Sequence, residues 1–198
     1  MNKAILFLLI GITQPAKVPP VADTYFLGPH YSVIITGKSN LRDWQETVEK
    51  VTGTVVANLN EDGSVDLLSI RIIMDVHSIK SDMGSIMNNK TYEALKASSY
   101  PQILFSLIGP VKLLQFNPRA QTVAIEGRLT LAGVCRQVTM LVHSFSLYKG
   151  KLQFEGSESI NMTDFGVKPP SALFGTMRSG PEIIIHFNTN FLNKQELP

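Results

Sequence analysis

Cysteine is nearly missing from this chain. Cys135 is the only one among 198 residues, so no intramolecular disulfide can form and no thiolate cluster can hold a metal. A lone thiol still leaves the redox compartment open. Charge is also sparse: 17% of residues are charged, the net charge is +2, and basic side chains are scattered among acidic ones. That removes the electrostatic footprint expected of a nucleic-acid or anionic-membrane binder. Catalytic signatures are missing too. There is no Gly-x-Ser-x-Gly elbow, no phosphate-cradling glycine loop and no dinucleotide fingerprint. His30, His77, His143 and His186 lie far apart, none with a second ligand at metal spacing on its own element, so neither metal nor cofactor is expected. Cys135 adjoins Arg136, which would lower a thiol pKa, but a structural thiol on a strand is the favoured reading.

What is present is apolar and alternating. With 44% hydrophobic residues, the chain is large enough for one domain with a real core. Lys3, the apolar run Ala4 to Ile12 and the break from Thr13 to Pro20 read as a secretory signal, giving residues 1–22 as signal peptide and 23–198 as the domain. The run is too short to span a bilayer, and no cysteine follows it to carry a lipid anchor. Ala16 and Ala22 mark the cleavage site poorly, and a buried N-terminal strand is the alternative. A periplasmic or secreted location is therefore expected.

The strongest pattern runs from Thr122 to Phe145. Val123, Ile125, Gly127, Leu129 and Leu131 share one parity, Ala132-Gly133 supplies a two-residue turn, and the register then brings Val138, Met140 and Val142 onto the same buried face. Arg136 falls on that face too, near a barrel mouth. Other strands follow: His30 to Ser39, Thr47 to Leu59, the run Leu68, Ile70, Ile72, Met74 and Val76 after the turn Glu61-Asp62-Gly63, then Ile103, Phe105 and Leu107, Leu152 to Met162, and Glu182 to Phe191 with Ile183, Ile185 and Phe187 inward. Glu158 sits in the apolar parity of its strand, which requires a partner, a raised pKa or a bulge that turns it outward. Asp82 to Ser99 is the one helical passage, capped by Asn88 or Asn89 and ended by Pro101. About eight antiparallel strands with one short helix and no βαβ spacing indicate an all-β closed barrel, which leaves no exposed edges. Asn89-Lys90-Thr91 and Asn161-Met162-Thr163 match the glycosylation sequon, a pattern common by chance.

Four segments carry a family resemblance: Gly37 to Trp44; Val76-His77-Ser78-Ile79-Lys80-Ser81 with Tyr100-Pro101; Gly127 to Val138; and Asp164-Phe165-Gly166-Val167 with Pro169-Pro170 and Gly175 to Gly180. In this order the chain resembles the YceI-like, polyisoprenoid-binding family of bacterial periplasmic proteins, most closely its Bacteroidetes-type branch. Two departures stand out. Gly133-Val134-Cys135-Arg136-Gln137 replaces a frequent Gly-Val-Thr-Lys-Pro run, and Arg42 stands where that branch often has histidine.

The resemblance implies an extended eight-stranded antiparallel lipocalin-like barrel holding a long apolar lipid, a polyisoprenoid or a quinone-type isoprenoid. The expected lining is Leu68, Ile70, Ile72, Met74, Phe105, Leu129, Val138, Met140, Phe154 and Ile183, with Arg136, Asp164, Lys168 and Arg178 at the mouth. For Asp164 the plain reading is a carboxylate that accepts loop N–H bonds. No catalysis, no nucleic acid and no stable membrane insertion are expected, and a homodimer is left open. The rivals are a barrel enzyme using Asp43, Asp164, Lys168 and Arg178 on an amphiphilic substrate, and a filled-core structural or stress-associated protein.

Overall fold

A computed structural model describes residues 22–113, 122–148, 150–172 and 175–196. The signal-peptide expectation lies outside these residues. The backbone forms eight long staves, several of them bent into two strands. The first is β1 (Asp23–Leu27) and β2 (Ser32–Ser39); the second is β3 (Asp43–Val48) and β4 (Val51–Leu59); the third is β5 (Val65–Asp75) and β6 (Ile79–Ser81), joined by a 3₁₀ turn. Helix α1 (Ser85–Ala94) follows. The fourth stave is β7 (Gln102–Leu107), with β8 (Val111–Leu113) beside β5. Then come β9 (Val123–Leu131), β10 (Val134–Tyr148) and β11 (Lys151–Asn161), a short β12 (Ser171–Ala172) and β13 (Met177–Asn193).

Each stave pairs antiparallel with the next in sequence, and β13 closes the ring by pairing both β2 and β1. The result is an up-and-down barrel whose edges are used up in closure. One end carries the turn at 60–64 and Gly150 between β10 and β11, and it is packed solid by Val65, Leu67, Leu113, Leu152 and Phe191. Phe154 sits between Phe145 and Phe191 there, at ring separations of 5.1 and 5.9 Å. The opposite end carries the β2–β3 turn, α1, the Ala132-Gly133 turn and the segment 162–172. Polar side chains of interest gather at that second end.

The β9–β10 register is the expected one: Leu131 faces Val134, Leu129 faces Arg136 and Gly127 faces Val138. Ala132 and Gly133 both take positive φ, 49° and 82°, the conformation that a two-residue hairpin turn needs to match strand twist. Leu68 is a correction. It is 40% exposed because a bulge skips it, with Ala57 opposite Leu67 and Val56 opposite Ser69, so the inward parity changes between Leu67 and Ile70. A second bulge at His143 in β10 moves the inward face from Val142 to Phe145.

Glu158 does not sit on a bulge of its own strand, since β11 pairs continuously with β13 from Leu152 to Asn161. Instead β10 and β11 part beyond the Leu141–Ser157 pair, and Glu158, half-buried, accepts a bond from the Thr139 N–H across the gap. Burial holds its carboxyl above the ordinary carboxylate value. The helix is shorter than expected and its N-cap is Gly84. Asn88 lies in the first turn, where its side-chain oxygen accepts from the Ser81 N–H.

The bulge gives a direct test. Leu68→Asp should change stability by no more than about 0.5 kcal/mol, whereas Leu67→Ala should cost about 2–5 kcal/mol. Urea denaturation of the two variants checks this, and the opposite order would restore the simple alternation.

Candidate functional site

The barrel interior is apolar and incompletely filled. Next to the solid end lies a cavity of about 90 Å³, walled by Ile70, Ile72, Met74, Phe105, Met140 and Phe154 together with Val55 and Phe191. Towards the helix end lies a second cavity of about 60 Å³, walled by Leu129, Ile183, Ile35, Ile103 and Trp44 and roofed by Thr91 and Ala94 of α1, by its C-cap Leu95 and by Met162, Val167 and Pro170 of the 162–172 segment. Val33, Met74 and Ile185 line both, so the two follow one another along the barrel. Eight staves leave just such an interior, either filled by side chains or open to one slender ligand.

Eight of the expected lining and mouth residues therefore stand where the cavities are, and six do not. Leu68 is on the outside. Val138 is half-buried against the core but walls neither cavity. Arg136, Lys168 and Arg178 are exposed at the helix end and wall neither cavity. The two guanidinium groups are used locally: Arg136 Nε donates to the Asp164 carbonyl at 3.0 Å, and Arg178 Nε to the Gly175 carbonyl at 2.9 Å. Asp164 is exposed as well, and the loop N–H bonds expected for it go to Asn161, whose Oδ1 accepts from the Thr163 N–H at 3.0 Å. Cys135 faces outward on β10, and Arg42 is exposed on the β2–β3 turn. Among the described residues no group of three His, Cys, Asp or Glu side chains is placed to hold a metal, and no helix is long and apolar enough to cross a membrane.

Sequence reasoning missed the polar groups that do reach the interior. Trp44, Glu46 and Val48 alternate inward along β3, so the strand delivers a carboxylate to the cavity under α1, where Glu46 is 5% exposed. Its hydrogen-bond partner is the Thr91 hydroxyl, which donates to Glu46 Oε1. Burial raises the Glu46 carboxyl above its usual range; the Thr91 hydroxyl opposes the rise and Asp82 adds to it. Beside it the Trp44 indole Nε1 is buried with no hydrogen-bond partner among the described residues. Gly37 makes room for that ring, since a Cβ there would lie 2.3 Å from Trp44 Cζ2. The Gly37 to Trp44 segment is thus a cross-strand fit of glycine against indole, with Gly37 paired directly to Trp44. The signal that marks Glu46 was legible: it is the same parity violation that singled out Glu158.

An up-and-down barrel with an apolar interior and a roof at one end is a lipocalin-like fold. Residues 28–191 match the YceI-like domain, and the chain belongs to that family. Among solved structures, BcnA from Burkholderia cenocepacia superposes with a TM-score of 0.61 at 20% identity, covering 81% of this chain and 95% of BcnA. A polyisoprenoid binding domain from Saccharophagus degradans, implicated in plant cell wall breakdown, gives 0.59 at 9% identity, covering 87% and 99%. No curated protein matches the chain in sequence.

The buried carboxyl makes a pH prediction. With its pKa raised on folding, Glu46 keeps its proton in the folded state where the unfolded chain has released it. Its contribution to stability is therefore whole below the ordinary carboxylate value and is lost as pH rises through the raised one. Glu46→Gln removes that titration, so its melting temperature relative to wild type should improve as pH is raised from about 4 to about 8. A difference that stays constant across the range would contradict a protonated Glu46.

Proposed function

We propose that this protein carries a long, slender apolar lipid of isoprenoid type inside its barrel, outside the cytoplasm, and catalyses no reaction on it. The observation that carries the reading is the run of two apolar cavities along one barrel, sharing Val33, Met74 and Ile185 and walled by strands from around the ring. Burial of such a chain is favourable by about 0.8 kcal/mol per methylene. Met74 and Met140, unbranched and adaptable, suit a wall that must fit a flexible chain. Membership of the YceI-like family and the fold shared with a polyisoprenoid binding domain support the same class of ligand. Against an enzyme, the polar residues Asp43, Asp164, Lys168 and Arg178 are all exposed and wall neither interior cavity. The Lys3, apolar-run and proline-break pattern supports export.

Native mass spectrometry of gently purified protein, followed by organic extraction, tests the reading directly. Wild type should carry an extractable apolar mass, and Met74→Trp, placed where the cavities meet, should lose most of it with little change in melting temperature. If the interior is in fact filled, the added ring overpacks it at about 1–3 kcal/mol. A large drop in melting temperature with no lipid in either protein would replace the carrier with a filled barrel.

A further inference from the structure

The cavity under α1 has apolar walls and one polar corner. Glu46, only 5% exposed, and Thr91, 8% exposed, meet there, and the Trp44 indole beside them has a buried N–H with no acceptor among the described residues. A barrel packed only for stability has no need of this arrangement. The neighbours of Glu46 on the inward face of β3 are Trp44 and Val48, and a leucine at position 46 would bury no polar group. Polar groups left this way inside an apolar cavity mark where a ligand's own polar atoms belong.

We propose that this corner is the head-group subsite of the lipid cavity, and that it selects an uncharged oxygen function, a hydroxyl or carbonyl at the end of the apolar chain, over a phosphate. This deepens the carrier reading and rests on it. Glu46 and Thr91 together offer both donor and acceptor capacity, and Trp44 Nε1 offers a donor, so a hydroxyl can give and receive bonds there while a ring carbonyl can receive them. A phosphate finds nothing to neutralise it. Among the described residues no Lys or Arg walls the cavity, Arg136, Lys168 and Arg178 are exposed outside it, and the Asp82 carboxylate adds negative potential at Glu46. The chain then runs from this corner past Val33, Met74 and Ile185 towards Phe105 and Phe154.

Trp44 is the only tryptophan in the chain, so its fluorescence reports on the subsite itself. The test is a titration of the full chain, in a low concentration of mild detergent, with geranylgeraniol, geranylgeranyl phosphate and the hydrocarbon of the same skeleton. Displacement of a lipophilic dye from the barrel supplies a second readout. In wild type the alcohol should bind about tenfold tighter than the hydrocarbon and tighter than the phosphate, and should change the Trp44 emission. Glu46→Leu should erase the advantage of alcohol over hydrocarbon while hydrocarbon binding persists, and Glu46→Gln should retain most of it. Thr91→Val, which keeps the side-chain shape, should lower the same ratio and guards against a folding defect in Glu46→Leu. An unchanged ratio in well-folded Glu46→Leu and Thr91→Val, or tighter binding of the phosphate than of the alcohol, would overturn the head-group assignment while leaving the carrier intact. Failure of all three ligands to displace the dye from wild type would overturn the carrier reading and this assignment with it.

Discussion

Closure of the ring by β13 is the constraint on which the rest depends. Its first half pairs with β2 and its end with β1, so a single 17-residue strand joins both parts of the first stave to β11. Eight staves closed in this way have a nearly fixed internal width. Once the width is set, only side-chain size decides whether the interior is core or cavity. At one end Leu67, Leu152 and Phe191 fill it; further along, Met74, Met140 and Ile183 leave space. The bends of the second and third staves, at 49–50 and 76–78, fall next to Val51 and Met74, by the junction of the two cavities, and the roof of α1 and the 162–172 segment covers the helix end.

That arrangement separates stability from binding along the barrel axis. The packed end holds the aromatic cluster of Phe145, Phe154 and Phe191 together with the fully buried Val65, Leu67 and Leu152. The roofed end holds Glu46 and Thr91, buried polar groups that cost stability unless something else uses them. Thr91 belongs to α1 and Glu46 to β3, so their bond also ties the roof to the barrel wall. A change at that bond alters both the lining of the cavity and the seating of its cover. The exposed cations at the same end lie outside the cavity and hold loops: Arg136 fastens the 162–165 turn to β10, and Arg178 folds back on Gly175.

Much of this was legible in the sequence because period-two alternation survives wherever a strand has one buried face. The β9–β10 hairpin shows it best: Ala132-Gly133 fixes the turn, the turn fixes the register, and the register puts Ile125, Leu129 and Met140 inside. One error came where the backbone adds a residue. Leu68 is bulged, and a bulge reverses parity without any mark in composition. Mouth residues were misjudged for a different reason. Basic side chains in loops suggested a polar rim, yet long side chains at an exposed end reach nearby carbonyls as readily as a ligand. Glu46 was passed over because β3 was read mainly through its Gly37 to Trp44 neighbourhood. Its inward parity beside Trp44 and Val48 carried the information, while the cover that buries it comes from α1, forty-five residues further along the chain.

The most direct measurement of whether the interior is a lipid site is photo-crosslinking with a prenyl alcohol that carries a diazirine in its tail, followed by peptide mapping. An occupied barrel predicts label on inward positions such as Met74, Met140 and Phe154, which lie on three different staves but wall one cavity. Label confined to outward apolar residues such as Leu141 and Ile184, or labelling that a dark lipid of the same chain does not compete away, would contradict it.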